Sequence, residues 1–167
     1  MNVAGVYLEL YGRIPELVRH AVAGLSPAQL AWAPAEGANP IGWLVWHLTR
    51  VQDHHVSELL AEPQLWETGP WAGRFGLSPD PGDTGFGHGP GDVAAVRPES
   101  ADALVAYHDA VHERTVRFLE GLDEVELDRI VDRRWDPPVT LGVRLVSIAD
   151  DDLQHAGQAA YLRGLLP

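Results

Sequence analysis

Apolar residues recur every three to four positions in four long stretches of the chain, and each stretch predicts a helix. Over Val3–Leu25 the inward set is Val6, Leu10, Ile14, Leu17, Val18 and Ala21. Pro15 is placed to kink this helix, and Gly24 followed by Ser26-Pro27 ends it. Asn39-Pro40 reads as an N-cap followed by proline at the first helical position. It opens a second helix to about Leu60, with Ile41, Leu44, Val45, Leu48, Val51, His55 and Leu59 facing inward. Ser100 caps a third helix that runs to about Leu119 and stops at Gly121. Leu104, Val111, Phe118 and Leu122 share its stripe with His108 and Thr115. The two prolines of DRRWDPP (residues 132–138) exclude a helix there. Thr140 then caps a fourth helix that reaches Gly164.

Residues 61–98 break the pattern. They are rich in Gly and Pro, and SPDPGDTGFGHGPGD suits neither a regular helix nor a central strand. Trp66, Trp71, Phe75 and Phe86 point to a loop that packs down and covers something, with disorder of residues 78–92 as the alternative. No strand pair, internal repeat or domain linker is predicted. The reading is an all-α fold: one domain over residues 1–167, a four-helix bundle with a long crossover loop between the second and third helices.

The apolar stripe of the fourth helix is interrupted. Ile148, Asp151, His155, Ala159 and Leu162 keep the rhythm of a core face, yet two of them carry a carboxylate and an imidazole. Asp and His at i, i+4 project in the same direction. A buried carboxylate is costly unless it is paired, hydrogen-bonded or metal-bound. Asp151 and His155 are therefore candidate ligands of a divalent metal, with His47 on the second helix as the third. Two imidazoles and one carboxylate leave open positions, as in catalytic zinc and non-haem iron sites. The ligands alone do not choose between zinc, nickel and iron. The alternatives are a local Asp–His hydrogen bond, Asp152 as the partner of His155, and a rival i, i+4 pair at His108 and His112. Of these two, His108 is taken to face the pocket and His112 the solvent. His54 lies roughly 10 Å along the axis from His47, too far for the same ion, so His54 and His55 are assigned to the rim. His88, in the glycine-rich loop, is given little weight. Trp43 is expected to wall a pocket, with His108 and Arg144 as further substrate contacts.

Composition narrows the chemistry. The net charge is −12 and all twelve basic residues are Arg, which argues against nucleic acid as a partner and excludes a lysine Schiff base. There is no cysteine, so disulfides, thiolate nucleophiles and Cys–zinc sites are excluded. No apolar run of about 18 residues predicts a membrane span, and the first residues lack the pattern of a signal peptide. A cytoplasmic location is the default. Eight histidines in so short a chain favour metal or acid–base chemistry.

Three segments carry a family resemblance: NPIGWLVWHLTRVQDHH, WETGPWAGRFGL and RWDPPVTLGVRLVSIADDDLQHAGQAAYLRGLL. Nearly the whole chain resembles the DinB-like superfamily, in a domain-of-unknown-function branch related to the mycothiol-dependent maleylpyruvate isomerase. The resemblance implies an antiparallel four-helix bundle, often a homodimer. It also implies a metal triad of one His on the second helix and an i, i+4 pair on the last, which falls on His47, Asp151 and His155. Many members have His where Asp151 stands; the mycothiol-linked branch usually has Glu, one methylene longer. Relatives use zinc or another divalent metal, and several act with a low-molecular-weight thiol. The expected function is therefore a metal-dependent thiol transferase or isomerase acting on a small electrophile, with mycothiol or another such thiol as cofactor. The alternatives are a metal-assisted hydrolase and a non-enzymatic metal- or small-molecule-binding stress protein.

Overall fold

The structure is a computed structural model that describes residues Met1–Pro167. It is predominantly helical, and each of the four amphipathic stretches forms helix. The first is broken in two: α1, Val3–Gly12, and α2, Ile14–Val22. Asn2 caps α1 by accepting from the Gly5 N–H at 2.9 Å. Pro15 sits in the first turn of α2, where it has no N–H to return to Tyr11, so the ladder stops and restarts at Arg13. The break shifts the phase of the buried stripe. Val6 and Leu17, expected inside, are 53% and 39% exposed, and the fully buried Tyr11 joins the core instead.

A single turn, α3 (Pro27–Leu30), closed by the Ser26–Gln29 capping box, leads to α4, Ile41–Leu60. This helix starts one residue later than expected, with Pro40 rather than Asn39 at the N-cap. It is buried on nearly all sides from Ile41 to Asp53. Residues 61–98 explain why. They form three short helical turns, α5 (Leu65–Thr68), α6 (Trp71–Arg74) and α7 (Pro90–Ala95), of which α5 packs on α4 and α6 on α8, and their loop crosses α4 at Thr84 and Gly85. Trp66 and Phe75, both from this segment, are fully buried. Trp66 meets Trp46 edge-on at 6.1 Å, and the Arg50 guanidinium lies 4.8 Å over its ring.

A buried polar network anchors the crossover. Asp53, fully buried, accepts from the backbone N–H groups of Leu65 (3.0 Å) and Trp66 (2.8 Å) and from the Tyr107 hydroxyl (2.8 Å). Arg50, also fully buried, donates to Gln64 and Tyr107 and to the carbonyls of Asp80, Pro81 and Asp83. Each charge is thus hydrogen-bonded, as burial requires.

Helix α8, Ala101–Glu120, is capped by Ser100. A small antiparallel hairpin follows, pairing β1 (Ile130–Asp132) with β2 (Val139–Thr140). The sequence predicts no strand pair, and three- and two-residue strands are too short to show an alternating pattern. The hairpin delivers the chain into α9, Leu141–Arg163, capped by Thr140. Helix α9 packs most extensively on α4 and next on α2. No helix is long and apolar enough to cross a membrane.

Candidate metal centre

Helices α4 and α9 run in opposite directions: the early His47 meets the late Asp151 and His155, while His55 meets Arg144. One ligand atom from each of His47, Asp151 and His155 lies within 4.8 Å of the others. The two imidazoles meet edge to face, with centroids 4.8 Å apart.

Each ring is held from behind. His47 Nδ1 lies 2.5 Å from the Thr84 carbonyl oxygen. A carbonyl only accepts, so Nδ1 carries the proton and Nε2 keeps its lone pair free. His155 Nδ1 donates in the same way to Gln158 Oε1 at 2.8 Å, leaving Nε2 3.6 Å from Asp151 Oδ1. Asp151 Oδ2 is buried and has no hydrogen-bond partner. Two freed imidazole nitrogens and an orphaned carboxylate oxygen fit a divalent cation, and the outer partners are those that orient metal-bound histidines.

Burial lowers the His47 pKa, against the opposing pull of the Thr84 carbonyl and the Asp151 charge, and so favours the neutral imidazole that a metal needs. For His155 burial also works against the charged form, but hydrogen bonds to Asp151 and Gln158 outweigh it and the pKa is raised.

A model of the DinB superfamily matches residues 10–159. The chain belongs to the DinB superfamily. A crystal structure described as a conserved protein from Enterococcus faecalis is 32% identical, with a TM-score of 0.89 over 98% of this chain and 96% of that one. No curated protein matches the chain. Members of the DinB superfamily often bind metals, in accord with the donor set between α4 and α9.

The other residues singled out from the sequence fall in several places. Arg144 lines the cleft of about 580 Å³ that opens beside His47 and Asp151. Trp43 does not line it. Trp43 is 5% exposed and stacks on His47 at 4.6 Å, so it backs the His47 ring instead of walling the cleft. His108 is also misplaced by the sequence reading. It is fully buried in α8, both ring nitrogens lack partners, and it is absent from the cleft wall. His88, given little weight from the sequence, packs against the site. Its loop folds inward, so that Nδ1 accepts from Trp43 Nε1–H at 3.1 Å and Nε2 donates to Asp83 at 2.8 Å. Within the acidic triplet, Asp150 is exposed, whereas Asp152 is fully buried with neither oxygen partnered. Burial chiefly raises the Asp152 pKa, which favours its neutral form.

A second group, His54, His55 and Glu58, also clusters. Both nitrogens of His55 are already engaged, Nδ1 with Glu58 and Nε2 as acceptor from Arg144. That leaves no free donor pair on His55 for an ion.

Thr84, Gly85 and Gln158 are the functional neighbours that sequence reasoning missed. The signal for Gly85 lies in TGFGHG, where only glycine adopts its backbone easily. Its φ is +91°, and a Cβ there would sit 2.7 Å from His47 Nδ1 and 2.9 Å from the Trp46 ring. Gly85→Ala is expected to lift the loop, release the Thr84–His47 bond and weaken the affinity for any divalent metal held at His47 about 10- to 100-fold. A chelator-competition titration measures this, and unchanged affinity would refute the loop's role.

The His108 environment carries a separate expectation. Burial lowers its pKa to about 3, with smaller contributions from His112 and Arg19. The folded state thus holds this imidazole neutral while the unfolded chain takes up a proton at its ordinary pKa near 6.5. As pH falls through that value toward 3, stability is lost at up to about 1.4 kcal/mol per unit. His108→Leu should flatten the dependence of the urea midpoint between pH 7 and 4.5; an unchanged slope would contradict the assignment.

Proposed function

We propose that the chain is a metal-dependent enzyme resembling low-molecular-weight thiol S-transferases and isomerases, built as an antiparallel four-helix bundle. The observation that carries this reading is the donor set: two histidines with Nδ1 tied off and Nε2 free, beside an unpartnered carboxylate oxygen. His47, Asp151 and His155 would hold the ion, with zinc the first candidate and nickel or iron the others. When bound, a divalent ion lowers the pKa of a thiol that reaches it and so raises the nucleophilic thiolate fraction. Thr84 and Gln158 fix the two rings, Trp43 closes the back of His47, and the cleft admits a small molecule from the Arg144 side. The chain has no cysteine, so the sulfur in this chemistry comes from a cofactor such as mycothiol. A cytoplasmic homodimer of this single domain, acting on a small electrophile, completes the proposal.

The test is the rate of thiol addition to an electrophile such as maleylpyruvate or a chlorodinitroarene. Mycothiol, bacillithiol and glutathione are each supplied to tag-free protein with and without zinc. Acceleration that requires both thiol and metal supports the reading. No acceleration with any of the three, from protein shown to hold metal, overturns it; ester or amide cleavage without thiol points to the hydrolase.

A further inference from the structure

The cleft beside the proposed metal centre has a second chemical end. Arg144, Ile148 and Asp151 follow one stripe of α9, and His47, Val51 and His54 face them from α4. Arg144 and Asp151 are seven residues apart, so roughly 10 Å of helix separates them. Across from Arg144 the hairpin contributes Asp132, Arg134 and Trp135 to the same wall.

Two guanidinium groups meet there. Asp132 is the single carboxylate shared by two guanidinium groups. It accepts from Arg134 Nε at 2.9 Å and Nη2 at 2.8 Å, and from Arg144 Nη2 at 2.8 Å. His55 adds no charge, because its Nε2 accepts from Arg144 Nη1. Glu58 lies behind it beside His54 and His55, outside the cleft lining, where its charge also acts on Arg134. At this end of the cleft two guanidinium groups therefore converge on one lining carboxylate, while the other, Asp151, stands at the far end. The guanidinium groups also keep N–H donors unused, and their fork suits a planar oxyanion.

The mouth is aromatic. Phe86, from the glycine-rich loop, is 93% exposed and Trp135, from the hairpin, is 65% exposed; both line this one cleft. Large apolar side chains left in water around a concavity commonly mark a binding site.

We propose that the cleft binds an elongated organic monoanion: a carboxylate on the Arg134–Arg144 wall, an apolar body between Phe86 and Trp135, and a reactive end directed at His47, Asp151 and His155. The inference deepens the proposed function and rests on it for the reactive end alone. A carboxylate is preferred to a phosphate because a planar oxyanion matches the guanidinium fork, and because Asp132, Asp151 and nearby Glu58 would repel a doubly charged group more strongly. The anion could belong to the thiol cofactor or to the electrophile; both present the same group to the same wall.

The probes are 4-phenylbutanoate and 4-phenylbutan-1-ol, which share a body and differ in charge. Calorimetry on the full chain, both chelator-treated and zinc-loaded, should show the acid bound at least about 10-fold tighter, the usual gain from a charged hydrogen-bonded pair. The preference should shrink with added salt. Arg144→Gln should abolish it. Arg134→Gln, at a side chain 72% exposed, should fold normally and reduce it about threefold. Phe86→Ser and Trp135→Ser should weaken acid and alcohol alike. Equal binding of acid and alcohol overturns the inference, as does a preference that survives both arginine substitutions. Tighter binding of the matching phosphonate overturns the carboxylate assignment. A preference that needs zinc and ignores the arginines places the anion on the metal, which removes this inference but keeps the metal centre. An arginine-dependent preference in protein that binds no zinc does the reverse.

Discussion

His155→Ala is expected to lower zinc affinity by more than about 100-fold, beyond the loss that follows removal of an outer partner. The substitution removes a donor whose Nε2 faces Asp151 and whose other nitrogen is already committed to Gln158. His47→Ala should do the same. Gln158→Ala, which only frees the ring to rotate, should cost about 10-fold. The internal control is His54→Ala with His55→Ala, which should leave metal content unchanged because His55 is already bonded through both nitrogens. Elemental analysis of tag-free protein, followed by competition with a chromogenic chelator, reads all of these. Stoichiometric zinc retained by His155→Ala would remove the centre, and zinc lost only from the His54/His55 variant would move it.

Asp53→Ala should destabilise the fold by about 3–5 kcal/mol, the cost of leaving a buried partner uncompensated. Its carboxylate holds two backbone N–H groups of the crossover and the Tyr107 hydroxyl, and lies 3.6 Å from the buried Arg50 guanidinium. In a chain of this size that corresponds to a fall in melting temperature on the order of 10 °C. The effect should reach the metal centre as well. The segment Asp53 anchors at Leu65 and Trp66 carries Thr84 on to His47, so zinc affinity should fall even at temperatures where the variant stays folded. Asp53→Asn keeps an acceptor for one backbone N–H and should be milder. A loss below about 1 kcal/mol for Asp53→Ala, within the range of an ordinary surface change, would refute the anchoring role.

The four helical stretches were legible because amphipathic periodicity is a local property repeated over many residues. Asp151 and His155 stood out for the same reason: polar groups recur at core spacing inside an otherwise apolar stripe. The place of His47 beside them depends on which helices pair, which periodicity does not encode and which the superfamily resemblance implies. Errors came where burial depends on a third element. His108 shares the inward stripe of α8, yet that stripe meets the core and not the cleft. Trp43 is hidden because residues 84–88 fold across it. Asp152 shows how little a run of identical residues reveals: adjacent positions on a helix point about 100° apart, and only the packing of α9 on its neighbours tells which one is inside.

From its own order of residues, then, this protein determined its helices, the caps at Ser100 and Thr140, the break at Pro15, and the carboxylate–imidazole pair on the last helix, because each depends on neighbours within a turn or two. The tertiary structure alone decided that the glycine-rich crossover covers α4, that Thr84 and Gln158 set the imidazole tautomers, and that Arg134 and Arg144 share one carboxylate at the far end of the cleft. Those arrangements join residues from separate elements, and only the packing of one helix on another fixes the distances between them.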